Sequence, residues 1–401
     1  MTSDAPGGDR PALARCVALD PAKFAAHWGS APLLSHTGPF TDLLSADAVD
    51  ELLSRRGLRT PFLRVAKHGK VLPTARFTGG GGAGAEIADQ IIDDEVMRLY
   101  AGGATLVLQG LHRIWPPLID FARQLGAELR RPLQVNAYLT PPESRGFSTH
   151  YDTHDVFVLQ VEGVKRWRIH EPVLADPLDR QPWGGHAGEV SATARGEPAM
   201  DVALVPGDAL YLPRGWLHSA EAQETRSLHL TIGVRALTRY ALVEELLTMA
   251  ADDARLRATL PFGLDVTDPV AIEPELTETV EALRDWLAEA APADVADRLA
   301  ARDWPAARPA PISPLAQLGF ADALTPESVV ALRDGLRWRL TDEDEQVVLN
   351  TVGQTIRFPA SCGPALRILL VGDPVRVGDL PLDDSLVLVR RLLGEAVVTP
   401  A

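Results

Sequence analysis

The 401-residue chain has only two cysteines, Cys16 and Cys362, far apart and in no recognisable metal or redox spacing. They read as small buried hydrophobes rather than chemistry. No run of about 18 apolar residues is present, so no helix is expected to span a bilayer. Met1 to Asp9 is polar and lacks the apolar stretch of a signal peptide, which points to a cytoplasmic protein. Basic charge is also short: 39 Lys plus Arg stand against 54 Asp plus Glu, a formal net charge of -15. That disfavours a general nucleic-acid binder, which needs concentrated basic surface. It favours encounter with a basic macromolecule, or serves solubility alone. The glycine run Thr78-Gly79-Gly80-Gly81-Gly82-Ala83-Gly84 is followed by no Gly-Lys-Ser/Thr, so it reads as a flexible loop rather than a phosphate cradle.

What is present is a globular composition, 46% hydrophobic, long enough for two or three domains. Gln134 to His170 carries the densest signal. At its centre stands His150-Tyr151-Asp152. On a strand, residues two apart project to the same side, so His150 and Asp152 can enter one cavity as two-thirds of a metal site. Two imidazoles and one carboxylate on one face of an octahedral ion leave open positions for further ligands. His218 completes the set: Gly207 and Pro213-Arg214-Gly215 bracket a short apolar strand, and His218 follows.

A lysine carries the next step. After the apolar run Val156 to Val161, Glu162-Gly163 reads as a tight turn, and the chain returns as Val164-Lys165-Arg166-Trp167-Arg168-Ile169. Lys165, Trp167 and Ile169 share one face, Arg166 and Arg168 the other. If Trp167 faces inward, so does Lys165, and a buried ammonium needs an anion. A dicarboxylate such as 2-oxoglutarate could chelate the metal at one end and pair with Lys165 at the other. The plainer alternative is that Lys165 snorkels at a barrel rim.

These residues, with Asn136-Ala137-Tyr138-Leu139-Thr140-Pro141-Pro142 before them and Ser227-Leu228-His229-Leu230-Thr231 after His218, resemble the JmjC-type ribosomal oxygenases of the cupin superfamily. The resemblance implies an α+β architecture: a double-stranded β-helix, the cupin or JmjC jelly roll, followed by a helical domain and a winged-helix-like C-terminal domain. It implies Fe(II) held by His150, Asp152 and His218 as the catalytic, metal-binding set. It implies 2-oxoglutarate as co-substrate on Lys165, with Asn136 and more weakly Tyr138 and Thr140 lining its pocket. Where some relatives carry a serine two residues after the threonine of the last strand, this chain has Gly233.

Domains are expected at 1–237 (catalytic, with N-terminal helices and strands), 238–308 (helical, dimerising) and 309–401 (winged-helix-like). Barrel strands are expected at Gln134–Leu139, Val156–Val161, Lys165–His170, Val202–Val205, Ala209–Leu212 and Ser227–Val234. Upstream, Phe24, Trp28 and a Pro32-Leu33-Leu34 turn anchor short helices, and a helix is expected over Ile87–Tyr100. Leu174 to Met200 is long enough for a lid or substrate-binding loop. His154 reads as a surface or supporting residue and His229 as a hydrogen-bonded core histidine. Leu242, Leu246, Leu247 and Ala250, then Val280, Leu283, Trp286 and Leu287, recur at helical spacing. In the C-terminal part, helices are expected at Thr325–Leu332, Cys362–Leu370 and Asp383–Leu393, with strands at Arg337–Leu340 and Gln354–Phe358. From Pro309 to Ala401 the chain has 8 Arg and no Lys against 12 Asp plus Glu, a net charge of -4, which disfavours DNA binding there.

The leading expectation is an Fe(II)- and 2-oxoglutarate-dependent dioxygenase that hydroxylates a protein side chain, an Arg or His of a ribosomal protein, as a homodimer. Two alternatives stand beside it: a cupin metal enzyme acting on a small molecule without 2-oxoglutarate, and a non-enzymatic winged-helix regulator.

Overall fold

The computed structural model describes residues 11–401; the polar stretch Met1 to Asp9 lies outside them. Ten strands position the site: β1 (Leu33–His36), β2 (Leu63–Lys67), β3 (Thr105–Leu108), β4 (Leu133–Thr140), β5 (Asp155–Glu162), β6 (Lys165–His170), β7 (Met200–Leu204), β8 (Asp208–Leu212), β9 (Leu217–Ala222) and β10 (Ser227–Val234). An antiparallel sheet runs β1-β8-β5-β10-β4-β3-β2, with Lys70–Val71 added at its edge, and a second sheet runs β7-β6-β9. This agrees with the jelly roll expected from the sequence.

The unbroken apolar run of β5 explains its place. Every residue from Asp155 to Val161 is buried, because both faces of this strand are covered. Phe157, Leu159 and Val161 join the large core built with the N-terminal segments and the helix Pro116–Leu129. Val156 and Val158 face the small sheet in a layer with Trp167, Ile169, Leu204, Leu210 and Leu212. Gln160 breaks the run: its Nε2 donates to the carbonyls of Glu162 (2.9 Å) and Gly163 (3.0 Å) and to Ser227 Oγ (2.9 Å), while its buried Oε1 has no partner among the described residues. These bonds hold the turn into β6. A Cβ on Gly163 (φ +70°) would fall 1.9 Å from the Arg226 carbonyl oxygen, so that turn admits only glycine.

β6 alternates as its sequence predicts. Lys165, Trp167 and Ile169 are buried, while Arg166 and Arg168 reach out to Asp201 on β7. Three helices follow, Arg239–Ala250, Pro269–Glu289 and Pro292–Asp303, and among their residues only Ala241, Ala250 and Ala282 are buried. A second core then forms from residues 321–398. In it the alternating Val347, Leu349, Ile356 and Phe358 of strands Gln346–Thr351 and Gln354–Pro359 meet Leu366, Leu369, Val389 and Leu392 of two helices.

Several sequence expectations are corrected. Pro32-Leu33-Leu34 leads into strand β1, paired with β8, rather than forming a turn. The helix expected from Ile87 begins only at Asp93, after the short strand Gln90–Ile91. Thr325–Leu332 is no helix: Val329–Leu332 is a strand held between Val375–Arg376 and Val398–Pro400, and the helix lies earlier, at Pro314–Asp322. A short apolar run suits both periods, and the flanking strands decide it. Strand β9 was not foreseen at all, since Ser219 and Glu221 interrupt its apolar pattern.

Candidate metal centre and its cavity

His150, Asp152 and His218 converge, with one ligand atom from each lying within 4.8 Å of the others. They do so without the strand expected around His150. That residue makes a single antiparallel bridge to His218 on β9, and Asp152 lies in irregular chain beyond it. The alternation nonetheless holds. Tyr151 points away, fully buried, and donates from its hydroxyl to the Gln181 carbonyl at 2.9 Å.

Each imidazole is fixed by its own chain. The Nδ1 of His150 lies 2.7 Å from the Ser148 carbonyl oxygen, and that of His218 lies 3.1 Å from Trp216 O. A carbonyl only accepts, so both Nδ1 atoms carry the proton and both Nε2 lone pairs are free to ligate. His218 Nε2 is 3.7 Å from Asp152 Oδ2. Burial, then the neighbouring His150 ring, pushes His218 down to about 4. Burial would raise the Asp152 carboxyl, but the imidazoles of His218, His154 and His150 outweigh it and hold it below the usual carboxylate range. An ionised carboxylate beside two imidazoles whose Nε2 lone pairs are free is the donor set a divalent cation requires.

The three ligands open onto a cavity of about 350 Å³ between the two sheets. Register sets its walls. Asn136 and Tyr138 of β4 sit opposite Thr231 and His229 of β10, and Val156 and Val158 of β5 lie on the other side of β10. Lys165 enters from β6. Its side chain is buried, its Nζ donates to Thr140 Oγ1 at 3.0 Å, and among the described residues no carboxylate pairs with it. Burial alone pushes its ammonium down to about 7. Among the described residues the Lys165 charge is therefore uncompensated.

Residues 120–242 match the family model of the JmjC domain. That stretch, about a third of the chain, is similar to a JmjC domain. The match contains all three candidate ligands and Lys165. In sequence the chain is similar to the bifunctional lysine-specific demethylase and histidyl-hydroxylase NO66 of Drosophila pseudoobscura pseudoobscura, with 30% identity over 248 residues, 59% of this chain and 25% of that protein. It is similar to ribosomal oxygenase 1 of Rattus norvegicus at 36% over 165 residues, 41% of this chain and 27% of that protein. The chain thus spans about a quarter of the length of these two relatives. In fold it is similar to YcfD, a ribosomal oxygenase from Escherichia coli in complex with cobalt and 2-oxoglutarate, with a TM-score of 0.52, 18% identity, and 95% and 98% of the two chains covered.

The cavity takes in the other sequence candidates unequally. Asn136 and Tyr138 line the cavity, and Asn136 Oδ1 accepts from the Gly110 N–H at 3.1 Å. Thr140 is fully buried behind Lys165, bonded to it and 3.3 Å from Thr105 Oγ1, so it touches the lysine rather than lining the cavity. His229 is corrected: its ring lines the cavity, stacked 4.9 Å from Tyr138, and its buried Nδ1 has no hydrogen-bond partner. Burial, and then Lys165, keeps it well below its usual value and thus neutral. Arg64 of β2, Gln109 and Trp167 also line the cavity and were missed as site residues. Arg64 lies far upstream with no motif around it; Trp167 was seen only as inward-facing. The segment after Leu174 is packed down, with Val190 joining Tyr151 and Leu217 in a small core. It brings the Trp183 ring to 6.3 Å from His150.

Proposed function

We propose that the chain is an Fe(II)- and 2-oxoglutarate-dependent dioxygenase that hydroxylates a protein side chain, with a His of a ribosomal protein placed ahead of an Arg. The observation that carries this reading is Lys165, a buried ammonium without a counter-ion beside a two-His, one-carboxylate set. Burying a charge unpaired is costly, so an interior lysine of this kind calls for an anionic ligand. 2-Oxoglutarate fits both ends: its 2-oxo acid suits the open positions of the metal and its far carboxylate suits Lys165. The names of the sequence relatives support protein hydroxylation, and those at 30–44% identity that mention histidyl-hydroxylase support His first.

In this reading His150 and His218 hold the metal through Nε2 and Asp152 through its carboxylate. When bound, the metal and 2-oxoglutarate supply the oxygen activation. The chain supplies the rest. Ser148 and Trp216 carbonyls fix the ring tautomers, and Thr140 aims the lysine. The wall of Val156, Val158, Leu212 and Trp167 excludes water. Asn136 and Tyr138 offer hydrogen bonds at the cavity wall.

The division at 237 and 308, a winged-helix-like C-terminal fold and a homodimer belong to the same proposal. The dimer is supported by apolar side chains left exposed on the helical segment, among them Leu242, Leu247, Val270, Leu276 and Val280. Anaerobic titration of the Fe(II)-loaded protein with 2-oxoglutarate tests the activity. A visible charge-transfer band that is absent in His218→Ala is expected. Its absence from a fully loaded protein would move the reading to a cupin enzyme that does not use 2-oxoglutarate.

A further inference from the structure

The cavity at the metal centre does not end at its wall. Gln134, His154 and Gly233 line it and also line a second, outer cavity of about 360 Å³. Gln134 Nε2 and His154 Nε2 lie 3.2 Å apart. A Cβ at position 233 would fall 2.7 Å from the His154 ring, so glycine leaves this imidazole its place between the two spaces.

The outer cavity has an unusual charge for so acidic a protein. Arg113 and Arg235 line it, and Arg113 feels first its own burial and then the guanidinium of Arg308, both lowering its basicity. None of the three arginines has an ion-pair partner among the described residues, whereas nearby Arg180 and Arg302 both engage Glu244. His112 adds no charge: its Nδ1 accepts from the Val135 N–H at 3.1 Å, and burial pushes it down to about 4. Asp179 is the one carboxylate on the lining. Two guanidiniums on the lining, with Arg308 close enough to act on Arg113, stand against one exposed carboxylate and leave room for an anion.

We propose that this outer cavity recognises a carboxylate of the polypeptide substrate, an Asp or Glu side chain near the residue delivered to the metal. The proposal rests on the hydroxylase reading above and names a determinant of its sequence specificity. Extended chain advances ~3.3 Å per residue, and His154 lies just two residues from Asp152, so the acidic residue sits roughly two to four positions from the reacting one. A polyanion fits less well. Asp179, Glu244 and Asp303 lie along the next stretch of surface, and the chain carries a net charge of -15.

The test is binding of short, blocked, fluorescein-labelled Gly/Ser peptides with a central His, carrying one Asp or its Asn counterpart at each flanking position in turn. Anisotropy is read with the full chain loaded with Mn(II) and 2-oxoglutarate. A preference for Asp over Asn of about tenfold at one position is expected, as a charge-assisted hydrogen bond provides. The preference should vanish in Arg113→Gln/Arg235→Gln while the Asn peptides bind as before. No acid preference at any position, including no binding by any peptide, overturns the proposal, as does a preference that survives the double variant. Competition by a short RNA duplex that the double variant abolishes also overturns it, because the arginines would then serve phosphate. An acid preference that persists when the central His is replaced by Ala, with no mass shift in the Fe(II) protein, upholds this site and overturns the hydroxylase reading instead.

Discussion

The two cores of this chain are built on opposite terms. The core of residues 321–398 is assembled from Val, Leu, Ile, Phe and Ala, and the buried polar side chains around it are few: Gln317, Thr351 and Ser385. Gln317 is satisfied, its Nε2 donating to the carbonyls of Leu393 (3.1 Å) and Val398 (2.7 Å). The strands around the metal centre instead bury Thr140, Asp155, Gln160, Lys165, His170, His218, Ser227 and His229. Of these, His170 and His229 leave Nδ1 without a partner, and Lys165 has a hydroxyl where a carboxylate would be expected. Polar groups buried without partners destabilise a fold. Their concentration in one region is what a ligand site would impose, and in the other, where Thr351 Oγ1 is the one such atom among the three, the unit is held together by packing.

The strongest way to break this comparison is to remove a ligand. Asp152→Ala leaves two imidazoles and should lower Mn(II) affinity by about a hundredfold or more, read by titration calorimetry, with the fold retained. Metal binding that survives would place the ion elsewhere. The mirror experiment is Leu349→Ala, at a fully buried position of the C-terminal core. It should cost about 2–5 kcal/mol there through lost burial and the cavity left behind. Thermal melting should show the loss while Mn(II) affinity stays unchanged; a parallel fall in metal affinity would mean that the two regions are not energetically separate.

Lys165 sharpens the contrast because its two effects have opposite signs. In Lys165→Met an apolar side chain of similar length replaces a charge without a counter-ion, so the ligand-free protein should gain about 1–4 kcal/mol. The same change should weaken 2-oxoglutarate binding by about a hundredfold. The linkage has a definite direction. Lys165 is lowered from 10.5 to about 7, so below about 7 the folded protein carries a buried charge and the penalty is at its full size. The penalty shrinks as pH rises from there toward 10.5, because the unfolded state then holds the extra proton. The stability advantage of the Met variant should therefore fade toward alkaline pH. Binding of 2-oxoglutarate to the parent protein should weaken by up to about tenfold per pH unit above 7, as the charged form becomes scarce. A Met variant less stable than the parent at pH 6 would show that Lys165 is compensated after all.

The parts of this arrangement legible in the sequence were those in which one residue type could do only one thing. Lys165 among Trp167 and Ile169 could not face inward without a partner, and β5 could not be half-exposed with six consecutive buried residues from Val156 to Val161. The convergence of His150, Asp152 and His218 was legible through spacing, although in place of the strand expected for the first two there is only a bridge at His150. What escaped was set by tertiary pairing. Nothing local distinguishes Val329–Leu332 as a strand until its neighbours on both sides are known. β9 hides because Ser219 and Glu221 dilute its pattern. His229 was read as a core histidine with a partner; its strand does face the interior, but the interior there is a cavity. Arg64 reaches that cavity from a strand far upstream, which no motif reports.

The smallest expected effect concerns Gly233, where the site depends on a missing side chain. Its φ is unexceptional, so alanine is no strain on β10. The added carbon would meet His154 Cδ2 and Nε2 at 2.7 Å and Gln134 Cγ at 2.9 Å. All three belong to side chains that can swing aside, so Gly233→Ala should change stability by less than about 0.5 kcal/mol. The candidate metal ligands and Lys165 are untouched, so Mn(II) and 2-oxoglutarate affinities should hold. What moves is the imidazole between the inner and outer cavities, and peptide affinity should fall by a few-fold, about 1 kcal/mol, as the passage is reshaped. If 2-oxoglutarate binding fell instead, position 233 would belong to the co-substrate pocket, as the serine expected there from the family resemblance implies. The His154–Gln134 pair would then be a wall of the inner cavity rather than the boundary between two.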